Sequence, residues 1–175
     1  NRIVSISQPH IRPMPRGKAK MKTEFGSKVE IAVINGYVRL ETLKFDAYNE
    51  AKNLIEIIER YRKRNGCYPK KVLVDKLYRN RENLNYCKEH GIRITGPALG
   101  RPKKDAVVDK NEEYQDICDR NCVEGKFGEG KTTYGLDRIS ARLKETSIAV
   151  IGIIFMVINL KKKVRLFFAK ILEFI

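Results

Sequence analysis

The chain has 175 residues and carries 36 Lys and Arg against 21 Asp and Glu, a net charge of +15. That excess calls for a polyanionic partner, and its spread along the chain, with no basic amphipathic surface helix standing out, favours nucleic acid over an anionic membrane. Cys67, Cys87, Cys118 and Cys122 form no Cys-x-x-Cys pair, and His10 and His90 complete no zinc pattern. Zinc ribbons and disulfide scaffolds are therefore set aside, and reduced thiols in a cytoplasmic protein are expected.

Residues 1–28 are basic: Arg2, Arg12, Arg16, Lys18, Lys20, Lys22 and Lys28 face only Glu24. Pro9, Pro13 and Pro15 discourage regular structure, so an arm or linker is predicted, either lying along phosphates or solvated. One folded domain is expected from 29 to 175. It opens with a hairpin, 28–34 and 37–45, because Asn35-Gly36 between alternating β-rich runs suits a type I′ turn. Glu30, Arg39 and Glu41 fall on alternate positions and predict a partly wet face.

A helix follows, capped by Asp46 and repeating Ala51, Leu54, Ile55, Ile58 and Tyr61 at helical spacing, until Asn65-Gly66 stops it. Val72-Leu73-Val74 reads as a buried strand ending at Asp75. A helix over 81–90 with Asn80 as cap and Gly91 as stop leads to a strand at Ile92–Thr95, an order that predicts a parallel pair with a crossover. The Gly- and Pro-rich run 96–104 is a linker or a phosphate-contacting loop. A helix from Asn111 to Glu124 is expected to be interrupted by the glycines of 125–131 and to resume near Leu136. Ile148–Leu160 is too short for a membrane span of about 20 residues. With the basic and apolar run to Ile175, it predicts a core-packing helix with an amphipathic end.

Two carboxylates stand out by position. Asp75 closes a buried strand, and strand ends open onto the usual site of an α/β sheet. Glu124 lies beside the glycine-rich stretch. Arg120 comes one helical turn before it on the same face, and Lys131 beyond the glycines can swing toward it. A carboxylate flanked by Arg and Lys suits a site where a cation and a phosphate meet. The plainer alternatives are a turn cap for Asp75 and a surface ion pair for Glu124.

The spacing Arg120-x3-Glu124-x6-Lys131 resembles the Tyr-x2-Arg-x3-Glu-x6-Lys signature of bacterial insertion-sequence transposases of the DDE type, with Ile117 where the signature has Tyr. Val72–Asn83 resembles that family's second-aspartate segment, and Thr23–Val33 its Phe-Gly-x-Lys strand. Gly96–Pro102 and Val123–Lys131 look familial too. The resemblance implies an α/β fold, an RNase H-like mixed sheet with flanking helices, here lacking its first strand. It implies Mg²⁺-dependent cleavage and transfer of DNA, with Mn²⁺ as a substitute metal. Asp75 and Glu124 would hold the metal, while Arg120, Lys131, Lys126, Arg101, Lys103 and Lys104 contact DNA. A homodimer is implied as well, and no membrane role. The family's first aspartate precedes the Phe-Gly-x-Lys strand, and no Asp lies in residues 1–28. The expectation is thus a fragment, inactive by itself, of a transposase catalytic domain; the alternative is an inactive DNA-binding remnant of the same fold.

Overall fold

The structure, a computed structural model, describes residues 5–15, 23–96 and 110–173. The chain divides into two units, one made of 1–47 and 122–175, the other of 48–121.

The first unit is built on a hairpin, β3 (Lys28–Ile34) and β4 (Tyr37–Lys44). Asn35 and Gly36 have φ of 51° and 74°, the left-handed pair that a type I′ turn requires. The register slips between Glu30 and Ile31, so Glu41 is the extra residue of a bulge. The slip keeps Val38, Leu40 and Leu43 opposite Val33, Ile31 and Val29, on one apolar face, although the spacing from 40 to 43 is odd. Across that face lies α4 (Lys144–Leu172), with Ile151, Ile154, Phe155 and Ile158 packed on Val38. Asn159, a polar residue in an apolar stretch, accepts from the N–H of Val38 and donates to its C=O, both at 2.7 Å. The opposite hairpin face is drier than alternation predicts, since Glu30 and Glu41 are buried.

The basic segment is more regular than its prolines suggest. β1 (Arg12–Pro15) pairs antiparallel with β2 (Thr23–Gly26). Pro13 and Pro15 occupy alternate positions, so their missing N–H groups fall on one edge and the ladder is left to Arg12 and Met14.

In the second unit, Asn49 rather than Asp46 provides the cap. It accepts from the Ala51 N–H at 3.0 Å and starts a short 3-10 turn that leads into α1 (Leu54–Asn65). Gly66, at φ 74°, ends α1 as expected. α2 (Arg81–Glu89) begins at Asn80, whose side chain accepts from the Asn83 N–H at 2.8 Å. It connects β5 (Lys71–Val72) to β6 (Arg93–Ile94), a parallel pair. Leu54, Ile58, Cys87 and Ile92 form the core between these elements. Asn83 is buried and donates to the carbonyls of Ala51 and Tyr78, tying α2 to both flanking turns.

Two expectations are corrected. The α/β composition holds, but among the described residues six strands pair as three two-stranded sheets, not as one mixed sheet. β5 and β6 are two residues each, and no described strand bridges the hairpin to them. The glycines of 125–131 do not break the chain either: α3 runs unbroken from Lys110 to Tyr134, Gly135 ends it at φ 68°, and no helix resumes at Leu136. Each interior glycine costs about 1 kcal/mol relative to Ala. Phe127 and Tyr134, two helical turns apart on one face, pack against the α4–hairpin core and offset that cost. Among the described residues no helix is long and apolar enough to cross a membrane.

Candidate active site

α3 is held at its start by charge. Asp116 is buried and accepts from Lys71 of β5 at 2.7 Å and from the guanidinium of Arg93 of β6. Glu112 lies 3.0 Å from Arg93, and Asp119 lies 3.4 Å from Lys71. The hydrogen bond to Asp116 holds the Lys71 ammonium above its ordinary pKa. A buried carboxylate with two cationic partners fixes α3 on the ends of the parallel pair, and removing either partner would leave charge poorly compensated.

One turn further along α3, Arg120 reaches Asp75. Its Nη1 lies 3.8 Å from Asp75 Oδ1, and its Nε is buried with no hydrogen-bond partner. Asp75 stands three residues beyond β5 instead of closing the strand, and caps the 3-10 turn Lys76–Tyr78 by accepting from the Lys76 N–H at 2.7 Å. The carboxylate is 73% exposed, and its Oδ2 has no partner among the described residues. The capping role foreseen as the plainer alternative is therefore real, and it occupies only one oxygen.

Beyond Arg120, α3 continues without a break through Glu124 and Lys131. At 100° per residue, Arg120, Glu124 and Lys131 fall within roughly 40° of one another, along about 16 Å of helix. Lys131 thus reaches this face by helical register, not by a swinging loop. Glu124 and Lys131 are exposed, and neither has an ion-pair partner among the described residues. Ile117, exposed, heads the same stripe where the signature has Tyr. Lys126 is on the other side of α3, 3.2 Å from Glu129, which also binds Lys161 at 2.9 Å. Arg101, Lys103 and Lys104 lie outside the described residues.

Asp75 belongs to the 48–121 unit and Glu124 to the other. Among the described residues, no group of three or more His, Cys, Asp or Glu side chains is arranged to hold a metal. As donors the two carboxylates suit Mg²⁺, which keeps several waters and needs only one or two carboxylates plus phosphate oxygens. Asp75 Oδ2 is open for that purpose. Sequence reasoning missed Asp116, Lys71 and Arg93. Their partnership spans 45 and 23 residues and leaves no local signal.

Residues 72–161 match the family model described as a transposase DDE domain. The span covers 90 of 175 residues, just over half, and contains Asp75, Arg120, Glu124 and Lys131. No curated protein and no solved structure matches the chain.

Proposed function

We propose that this chain, which belongs to the transposase DDE-domain family, provides two metal-holding carboxylates, Asp75 and Glu124, and a cationic stripe for DNA phosphoryl transfer. The observation that carries the proposal is the single face of α3 on which Arg120, Glu124 and Lys131 align, with Arg120 beside Asp75.

The side chains divide the work by their chemistry. Arg120 keeps donors in reserve: its side chain is partly exposed and its contact with Asp75 is long. A phosphate oxygen is the acceptor such a guanidinium suits, in the bidentate manner. Lys131, two turns past Glu124, is a point charge that engages the backbone further along the strand. Asp75 and Glu124 would hold Mg²⁺, or Mn²⁺ in its place, which supplies an activated attacking oxygen and stabilises the leaving one. The order of hairpin, α1, parallel pair and α3 supports an RNase H-like architecture of the insertion-sequence type. That chemistry takes three carboxylates, and residues 1–28 contain no Asp. We therefore expect the chain by itself to bind DNA and a single weakly held cation without cutting.

The test is Mn²⁺ binding by the whole chain, followed by electron paramagnetic resonance. Binding should weaken in Asp75→Asn and in Glu124→Gln while DNA affinity and circular dichroism hold. Binding indifferent to both changes would leave a DNA-binding remnant of the fold as the better account, a reading that the lack of a three-residue metal cluster among the described residues favours.

A further inference from the structure

α4 has two apolar faces. Ser147, Ile151, Ile154, Phe155 and Ile158 are buried against the hairpin side of the unit. Nearly opposite runs a second stripe, Ile153, Val157, Leu160, Val164, Phe167 and Ile171. Its spacings are 4, 3, 4, 3 and 4, a repeat of 3.5 residues sustained over about 27 Å of helix. Apart from the half-buried Val157, its members are 40–62% exposed.

Lys162 is the last residue of α4 to touch the hairpin, donating to the carbonyl of Asn35. From Lys163 to Glu173 every residue is exposed. Three turns of helix with large apolar side chains in water are marginal without a partner. The stripe also begins on the part of α4 that lies against the hairpin, so whatever covers it must follow one face along both parts.

We infer that this stripe pairs in parallel with the same stripe of a second copy of the chain. A 3.5-residue repeat is what two supercoiled helices need to keep one seam in contact, and a bilayer surface imposes no such period. Val157, Val164 and Ile171 fill one layer with β-branched side chains, which suits two parallel strands, while Ile153, Leu160 and Phe167 fill the alternate layer. Charge decides direction. In a parallel pair the flanks bring Met156 against Lys161 and Lys163 against Phe168 of the second copy, so apolar groups meet lysine stems. An antiparallel pair with full overlap layers Val157 on Phe167 and Val164 on Leu160. Its flanks set Lys163 against Lys163, a like-charge pair, and Lys161 against Lys161, where Glu129 already offsets each charge.

The experiment is sedimentation velocity on the full chain at micromolar concentration. The wild type should sediment as a dimer, and Val164→Asp with Phe167→Asp should halve the mass. Circular dichroism checks that the fold persists. Leu166→Asp, equally exposed but off the stripe, should remain dimeric. In a Cys67→Ser, Cys122→Ser background, Val164→Cys should form an intermolecular disulfide under mild oxidation. A monomeric wild type, or a dimer that survives the double change, overturns the pairing. A dimer without the cysteine cross-link overturns its parallel sense. Monomers that float with phosphatidylserine vesicles, and cease to in the double variant, assign the stripe to lipid and overturn the proposal.

Discussion

Replacing Gly125 and Gly128 with Ala tests the continuity of α3, on which the alignment of Arg120, Glu124 and Lys131 depends. Both are inside the helix without positive φ, and a Cβ at either meets nothing within 4 Å. Each change should therefore recover most of the helix-propensity difference, about 0.8–1.0 kcal/mol, and the pair close to twice that if the sites are independent. For a chain of this size, 1 kcal/mol corresponds to a rise in melting temperature of roughly 2–4 °C. Gly130 is the internal control: a Cβ there comes within 2.9 Å of the Leu136 side chain, so Gly130→Ala should give little or none of the gain. Urea titrations followed by circular dichroism at the helical minimum report all three. Were the segment a flexible loop, Gly125→Ala and Gly128→Ala would leave the midpoint unmoved, or Gly130→Ala would stabilise as much as they do. Either result removes the physical basis for placing Lys131 on the face of Glu124.

Further expectations follow from individual contacts. Lys131→Ala should weaken DNA binding and reduce the slope of log affinity against log salt by about 0.9, one phosphate contact's worth; an unchanged slope marks a lysine that does not touch DNA. Asn159→Ala strips Val38 of partners for both its N–H and its C=O, and should cost about 1–3 kcal/mol in a denaturation experiment. Hydrogen bonds from Lys161 and then Lys126 hold the Glu129 carboxyl below its ordinary value of 4.5. Its folded pKa is depressed, so its contribution to stability is present above pH 4.5 and fades as pH falls through the lower folded value. Glu129→Gln should flatten the acid limb of the stability profile in that window and leave neutral pH dependence alone.

Where one short motif dictates the conformation, the sequence was sufficient. Asn35-Gly36 defined the hairpin turn, Asn80 and Gly91 bounded α2, and the strand–helix–strand order foretold the parallel pairing of β5 and β6. Where the outcome depends on distant partners, it was not. Nothing local says that Phe127 and Tyr134 find a core that keeps α3 helical through its glycines, or that Asp116 is clamped by Lys71 and Arg93. Asp46 reads as the cap from sequence, yet Asn49, nearer the first buried turn, takes that role. For the site, spacing along the chain picked out Asp75, Arg120, Glu124 and Lys131. That Arg120 reaches back to Asp75 required the packing of α3 onto the strands, and the pairing of Lys126 with Glu129 is invisible to spacing alone.

Asn159 has one more effect. The turn-closing pair Ile34–Tyr37 takes the inward bonds, so the N–H and C=O of Val38 look outward, where an additional strand would dock. The amide of Asn159 occupies both, an imitation of backbone that cannot be propagated. At this point the outer edge of β4 is closed to sheet growth. Without that amide, crowded chains would find a template here, and the first sign of the loss would be fibrils or precipitate in concentrated samples.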